Sequence, residues 1–386
     1  MSTATQAPQT PTNSLPTSGG KTDFIDASFN VPWGVHVLSG LVSRFPRLWK
    51  SLAKLESLAL REQLEGVSID RPIYIAGIAR SGSTILLEAL AAHSVAATHQ
   101  YRDFPMLFTP YWWSQTHSKQ PSLPVERAHG DGLMVTPESP EAMEEVFWQA
   151  YFTHAHDPHQ CQVLDRSTSH PAFEQFYRDH LRKLLHLRGG SRYVSKGNYN
   201  FSRMAYLHTL FPDARFVVPI RRPEAHIASL MKQQRLFEAG ETKYPRALAQ
   251  MQRIGHYEFG LDRRPINVGN TDLIREVEQL WKSGEAVRGW ARYWSHLYGW
   301  MADQLDSDPL LRHAAQIIRY EDLCAAPAAV LNRMRTHCQL GDDAKFAAFA
   351  GQIHAPDYYC SKFTDAEQQA ITEETAATAA RYGYES

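Results

Sequence analysis

Cysteine is scarce. The four residues Cys161, Cys324, Cys338 and Cys360 lie far apart in a chain of 386. The opening stretch MSTATQAPQTPTNSLPTSGGKT has no apolar segment to act as a secretory leader, so reduced thiols and a cytoplasmic location are expected. No run of eighteen apolar residues occurs; ILLEALAAHSVAA, for instance, is broken by Glu88 and His93. That excludes a helical membrane span and predicts a soluble protein. Excess charge is missing too. Lys and Arg number 40 against 41 Asp and Glu, a net charge of −1, which gives the chain as a whole no attraction to nucleic acid or to an anionic membrane. Any anion site must be local.

What is present fits a globular protein with a sizeable core, since the 43% apolar and 21% charged residues are ordinary proportions. Residues 1–22, rich in Ser, Thr, Pro, Gly and Gln, are expected to be a disordered tail, and residues 23–386 one domain. Apolar residues at helical spacing predict a helical lead-in over 33–67, with Pro46 separating two helices. Strands are predicted at Pro72–Ala76, Tyr193–Ser195, Arg215–Ile220 and Ala315–Arg319, with a further short one near Val95–Thr98. Each of the four is followed by a helical pattern, which predicts an α/β fold of the P-loop type: three layers, a central parallel sheet, and a helical insertion. The insertion spans 237–306. Its first part, to Asn270, has weak periodicity and reads as a lid or subdomain; a long helix is expected to follow, from Thr271 onward.

The stretch AGIARSGSTILLEAL, Ala76–Leu90, nearly spells the phosphate-binding loop G-x-x-x-x-G-K-[ST]. Gly77, Gly82 and Thr84 fit, but Ser83 stands where lysine is required. The backbone N–H groups of Ala79 to Thr84, at the start of a helix, can still cradle a phosphate. The residues just past the predicted strands are basic: Arg80, Lys196 in RYVSKGNYNF, Arg221 and Arg222 in RFVVPIRRPEAHIASL, and Arg319 in IIRYEDL. Ligands of open parallel sheets sit at the carboxyl ends of the strands, so this set predicts an anion with several phosphates. No strand ends in the aspartate that a nucleoside-triphosphate enzyme uses for magnesium, and no metal is expected.

These residues resemble the sulfotransferases that use 3′-phosphoadenosine 5′-phosphosulfate. The family loop reads P-[KR]-S-G-T-T, and ARSGST at Ala79–Thr84 departs only by Ala for Pro and Ser for Thr. Its arginine looks like the bacterial and tyrosylprotein branches. An arginine after a strand with a serine eight positions on is matched by Arg221 and Ser229, and Y-E-D-L by Tyr320–Leu323, in the family's order. The resemblance implies sulfuryl transfer to a hydroxyl or amine of a small-molecule or glycan acceptor. It places Arg80, Ser81, Gly82, Ser83 and Thr84 on the 5′-phosphate and Lys196 on the bridging oxygen. Arg221 and Ser229 fall on the 3′-phosphate, and Tyr320 near the nucleotide or in a structural role. The oligomeric state is left open.

A proton acceptor is also needed. In the cytosolic branch a histidine stands two after the strand lysine; here Asn198 occupies that place. The tyrosylprotein and glycosaminoglycan branches carry a glutamate a couple of dozen residues beyond the loop cation. The matching region THQYRDFPMLF offers Asp103, the first choice, and His99; the other reading of Asp103 is an ion pair or helix cap. THAHDPHQC gathers His154, His156, Asp157 and His159, but Pro158 breaks the spacing of a metallo-hydrolase motif, and a surface cluster is expected. TPYWW and GHYEFG line an acceptor pocket or belong to the core. Two other functions compete: a P-loop nucleotide kinase or related triphosphate enzyme, opposed by Ser83, and a non-catalytic nucleotide-binding module.

Overall fold

Five short parallel strands form the centre of the molecule, which the computed structural model describes over residues 24–26, 28–116, 123–126, 133–355 and 362–385. The tail expected over 1–22 lies outside the described residues. The strands are β1 (Ile73–Ile75), β2 (Ala96–Ala97), β3 (Arg192–Lys196), β4 (Arg215–Ile220) and β5 (Ala315–Arg319). Their order across the sheet is β2-β3-β1-β4-β5, with Ile73 paired to Val194 on one side and to Arg215 on the other. The chain therefore builds outward from β1 in one direction, returns, and builds in the other. All five carboxyl ends lie along one edge.

Side chains alternate across a strand, and here both faces are buried. Ile73 and Ile75 join Val194, Val217 and Ile318 in a core against α3 (Ser83–Ala91), through Leu86 and Leu90, and the helix Pro327–His337, through Met334. Tyr74 points the other way, with Tyr193 and Phe216, toward α4 (Pro171–Arg188), through Tyr177 and Leu181. This is the α/β architecture with a central parallel sheet that the run of strands predicts.

Before the sheet come α1 (Trp33–Arg44) and α2 (Pro46–Ala59), joined at Phe45, with Pro46 at the first position of α2, where its missing N–H costs nothing. One expectation is corrected in the insertion, that of a single long helix. The weakly periodic stretch is partly regular: α5 (Pro223–Lys243) runs into it and α6 (Pro245–Ile254) follows. The buried residues in the second half of α5, Gln233, Gln234, Phe237, Gly240 and Glu241, share one face, but only Phe237 among them is a large apolar side chain, so no apolar stripe marks it. The long helix expected after Asn270 is two, α7 (Thr271–Lys282) and α8 (Ala286–Ser307), separated at Gly284, whose φ of +91° suits glycine. No helix among the described residues is long and apolar enough to cross a membrane.

Candidate functional site

The loop between β1 and α3 is held in a shape that two glycines permit. Gly82 has φ +98°, and a Cβ there would lie 2.6 Å from the Tyr320 ring; at Gly77 a Cβ would lie 2.5 Å from Pro219. Arg80 is itself left-handed, at φ +69°. Ser81, expected on the nucleotide, is fully buried, and its hydroxyl donates to the carbonyl oxygen of Ile78 at 2.7 Å.

His226, on α5, fixes the loop from behind. The Trp294 indole N–H, on α8, can only donate, and it reaches His226 Nδ1 at 3.2 Å. Nε2 therefore carries the proton and donates to the Ala79 carbonyl oxygen at 2.8 Å. Burial holds the imidazole down at about 3, with the Arg221 and Arg80 charges adding to the effect against the Ala79 bond. The sign follows. With its folded-state value depressed, the histidine takes up its proton more readily in the unfolded chain, so its contribution is intact above about 6.5 and is lost as pH falls toward 3. Urea unfolding of the wild type should lose a few kcal/mol more over that window than the His226→Gln variant, whose amide keeps the bond to Ala79 but does not titrate. Parallel stability curves for the two proteins would rule this out.

In front of the loop lies a cavity of about 870 Å³. Arg80, Lys196, Arg221 and Lys232 all line it, with Gly82, Ser83, Thr84, Ser229 and Tyr320. The first-turn amides of α3 have no acceptor within the helix, and Ser83 and Thr84 are among the residues that reach the cavity. Arg80 Nε donates to Ser229 Oγ at 3.2 Å, Lys196 Nζ to Thr84 Oγ1 at 3.0 Å, and the Arg221 guanidinium sits 4.9 Å from the Tyr320 ring centre. So three of the strand-end cations converge. Arg319 does not; it bonds the Gly383 carbonyl oxygen at 2.8 Å and lies over the Tyr384 ring. Lys232, which sequence reasoning missed, stands three residues after Ser229 on the same face of α5, and that spacing was a usable signal.

The expected proton acceptors are elsewhere. Asp103 does not line the cavity; it is 3% exposed, accepts from Arg188 at the end of α4 at 2.7 Å, and closes a capping box with Gln100. Burial alone would raise its carboxyl, but bonds and charges from His99 and Arg188 outweigh it and hold the group below the usual range. His99 is 2% exposed, packed on His180 with their Nε2 atoms 3.1 Å apart. Both serve the packing of α4 against the segment after β2.

The cavity instead contains carboxylates brought from a distance. Glu258 Oε1 accepts from Asn198 Nδ2 at 2.6 Å, and its Oε2 lies 3.4 Å from His256 Nδ1. Glu141 accepts from the Tyr101 hydroxyl. Phe104, Met143, Phe237, Met251, Ile254 and Phe259 supply an apolar part of the wall. GHYEFG thus contributes His256, Glu258 and Phe259 to the site, while TPYWW packs outside the cavity lining. Among the described residues no group of three His, Cys, Asp or Glu is arranged to hold a metal. His156 pairs with Glu145 at 2.8 Å.

Several solved structures are similar to this chain. Sulfotransferase STF1 from Mycobacterium tuberculosis H37Rv shares 16% identity over 93% of this chain and 90% of its own, with a TM-score of 0.46. STF9 from Mycobacterium avium shares 14% over 92% and 88%, at 0.48, and a sulfotransferase from Alicyclobacillus acidocaldarius 13% over 81% and 94%, at 0.39. No curated protein sequence matches significantly. Residues 72–265, half of the chain, match the profile of the sulfotransferase family, and that span holds the glycine loop, Lys196, Arg221 and Ser229. The chain belongs to the sulfotransferase family, whose chemistry is sulfuryl transfer.

Proposed function

We propose that the protein transfers a sulfuryl group from 3′-phosphoadenosine 5′-phosphosulfate to a hydroxyl or amine of a small-molecule or glycan acceptor. The observation that carries this reading is the convergence of Arg80, Lys196, Arg221 and Lys232 on one cavity beside the start of α3. Arg80, the loop amides from Gly82 to Thr84, and Lys196 suit the 5′ side of the nucleotide. Arg221 and Ser229, at the end of β4 and in α5, suit a second phosphate, and Tyr320 a place beside the nucleotide. A nucleoside triphosphate carries its phosphates in one row and leaves such a second site without a partner.

When bound, the donor supplies the sulfuryl group. Glu258 is our assignment for the proton acceptor, because it reaches from the insertion to Asn198, two residues past Lys196. Glu258 takes the acceptor's proton as the acceptor oxygen or nitrogen bonds to sulfur. Lys196 neutralises the charge left on the bridging oxygen as the sulfur–oxygen bond breaks. The apolar wall suits an acceptor whose reacting group is carried on an apolar body.

Calorimetry without magnesium tests the donor. Two charge-assisted contacts favour adenosine 3′,5′-bisphosphate over 5′-AMP by roughly a hundredfold, and Arg221→Ala should remove most of that preference. Tighter binding of magnesium ATP than of the bisphosphate would make a kinase the better reading. Tight bisphosphate binding with no transfer from labelled donor to any acceptor would leave a binding module.

A further inference from the structure

The α1–α2 hairpin has an outer face that the fold does not use. Of fourteen large apolar side chains exposed among the described residues, eight fall between Trp33 and Leu58. Trp33 is 71% exposed, Phe45 50% and Leu58 59%. They are not scattered, as isolated surface apolar residues usually are. Trp33, Val37 and Leu41 recur at intervals of four on α1, and Leu48, Leu55 and Leu58 share one face of α2.

Cations are interleaved with them. Arg44, Arg47 and Lys54 are exposed on the same hairpin, and among the described residues none of the three pairs with a carboxylate. The hairpin's one acid, Glu56, is buried on the opposite side, where it accepts from Lys183 of α4 at 3.0 Å and from the Trp112 amide at 2.7 Å. That buried pair holds α2 on the body of the protein. Glu62 and Glu65 come only after the hairpin, in the short helix Arg61–Glu65. Before Phe24 the single acid, Asp23, is offset by Lys21, so that segment has no net negative charge to complement the face.

We infer that this hairpin docks the protein on an anionic lipid surface. Apolar side chains including tryptophan and phenylalanine, set among arginine and lysine on the exposed surface of two adjoining helices, match what an anionic bilayer interface binds. A second copy is the poorer occupant, because a twofold contact would bring Arg44, Arg47 and Lys54 against like charges with no exposed acid on the hairpin to answer them. The net charge of −1 does not oppose this, since the attraction is set within a Debye length of the surface. Docking also places the interface one helix from the cavity: Ser39 of α1 donates to Gln250 of α6 at 3.0 Å, and Gln250, Met251 and Ile254 line the cavity.

The test is flotation of the full chain with vesicles of phosphatidylcholine alone and of equal parts phosphatidylcholine and phosphatidylglycerol. Wild type should float with the anionic vesicles and not with the neutral ones, and salt should weaken the association. The triple variant Arg44→Gln, Arg47→Gln, Lys54→Gln should partition about a hundredfold less, since each surface cation contributes roughly a factor of five. Leu48→Ser with Leu55→Ser and Leu58→Ser should also release the protein while leaving its thermal unfolding unchanged, because those side chains are exposed. Equal flotation with both vesicle types, or none with either, overturns the inference. So does a wild-type dimer that ignores vesicles and is made monomeric by the leucine variant, which would assign the face to a second copy.

Discussion

Glu258→Gln should lower turnover by roughly two to four orders of magnitude, the span expected for loss of a positioned general base. The amide keeps the size of the side chain and can still bond Asn198, so affinity for adenosine 3′,5′-bisphosphate should stay within about twofold. Transfer from labelled donor is the readout, with whichever hydroxyl or amine compound the wild type sulfonates in a screen. Asp103→Asn provides the contrast. Its carboxylate is buried against Arg188, and breaking a pair of that kind costs about 3–5 kcal/mol. That variant should melt earlier and retain turnover per folded molecule. Activity lost in Asp103→Asn at unchanged stability, with Glu258→Gln still active, would return the role to the residue that sequence spacing suggests.

Lys196→Ala should reduce turnover by roughly two to three orders of magnitude, the scale for removing one preorganised donor from the point where charge develops. Lys196 ends β3 and its ammonium is held by Thr84 Oγ1, the first-turn hydroxyl of α3, so it is in place before any ligand arrives. The loss should fall on turnover more than on affinity for the intact donor, since the leaving group gains its charge only during transfer. An unchanged rate in a folded Lys196→Ala variant would remove the lysine from the reaction. A loss confined to binding would move it to the ground-state phosphate contacts.

Much of the framework was legible in the sequence. β4 and β5 fall where short apolar stretches between helical patterns place them, and β1 and β3 within a residue or two. Gly77 and Gly82 were recognisable because a left-handed φ and a close approach to Pro219 and Tyr320 admit little else. Arg80, Lys196 and Arg221 were recognisable because parallel strands deliver their following residues to one edge. The boundary between α5 and α6 was harder to see. The buried face of α5 carries Ser229, Gln233, Gln234 and Glu241 among its apolar residues, so it shows no apolar stripe to read.

By itself, then, the chain determined its sheet, its loop and the cations at the strand ends, all of which depend on a local pattern or on the geometry that parallel strands impose. Only the tertiary structure decided which of those cations faces the cavity and which, like Arg319, turns to the C-terminal segment. It also decided where the carboxylates lie. Asp103 has suitable spacing from Arg80 but is drawn to Arg188, 85 positions on, while Glu258 meets Asn198 from 60 positions away. Such partners are set by how α4 and the insertion pack against the sheet. A side chain's chemistry follows from what it is buried beside, and linear spacing carries no record of that.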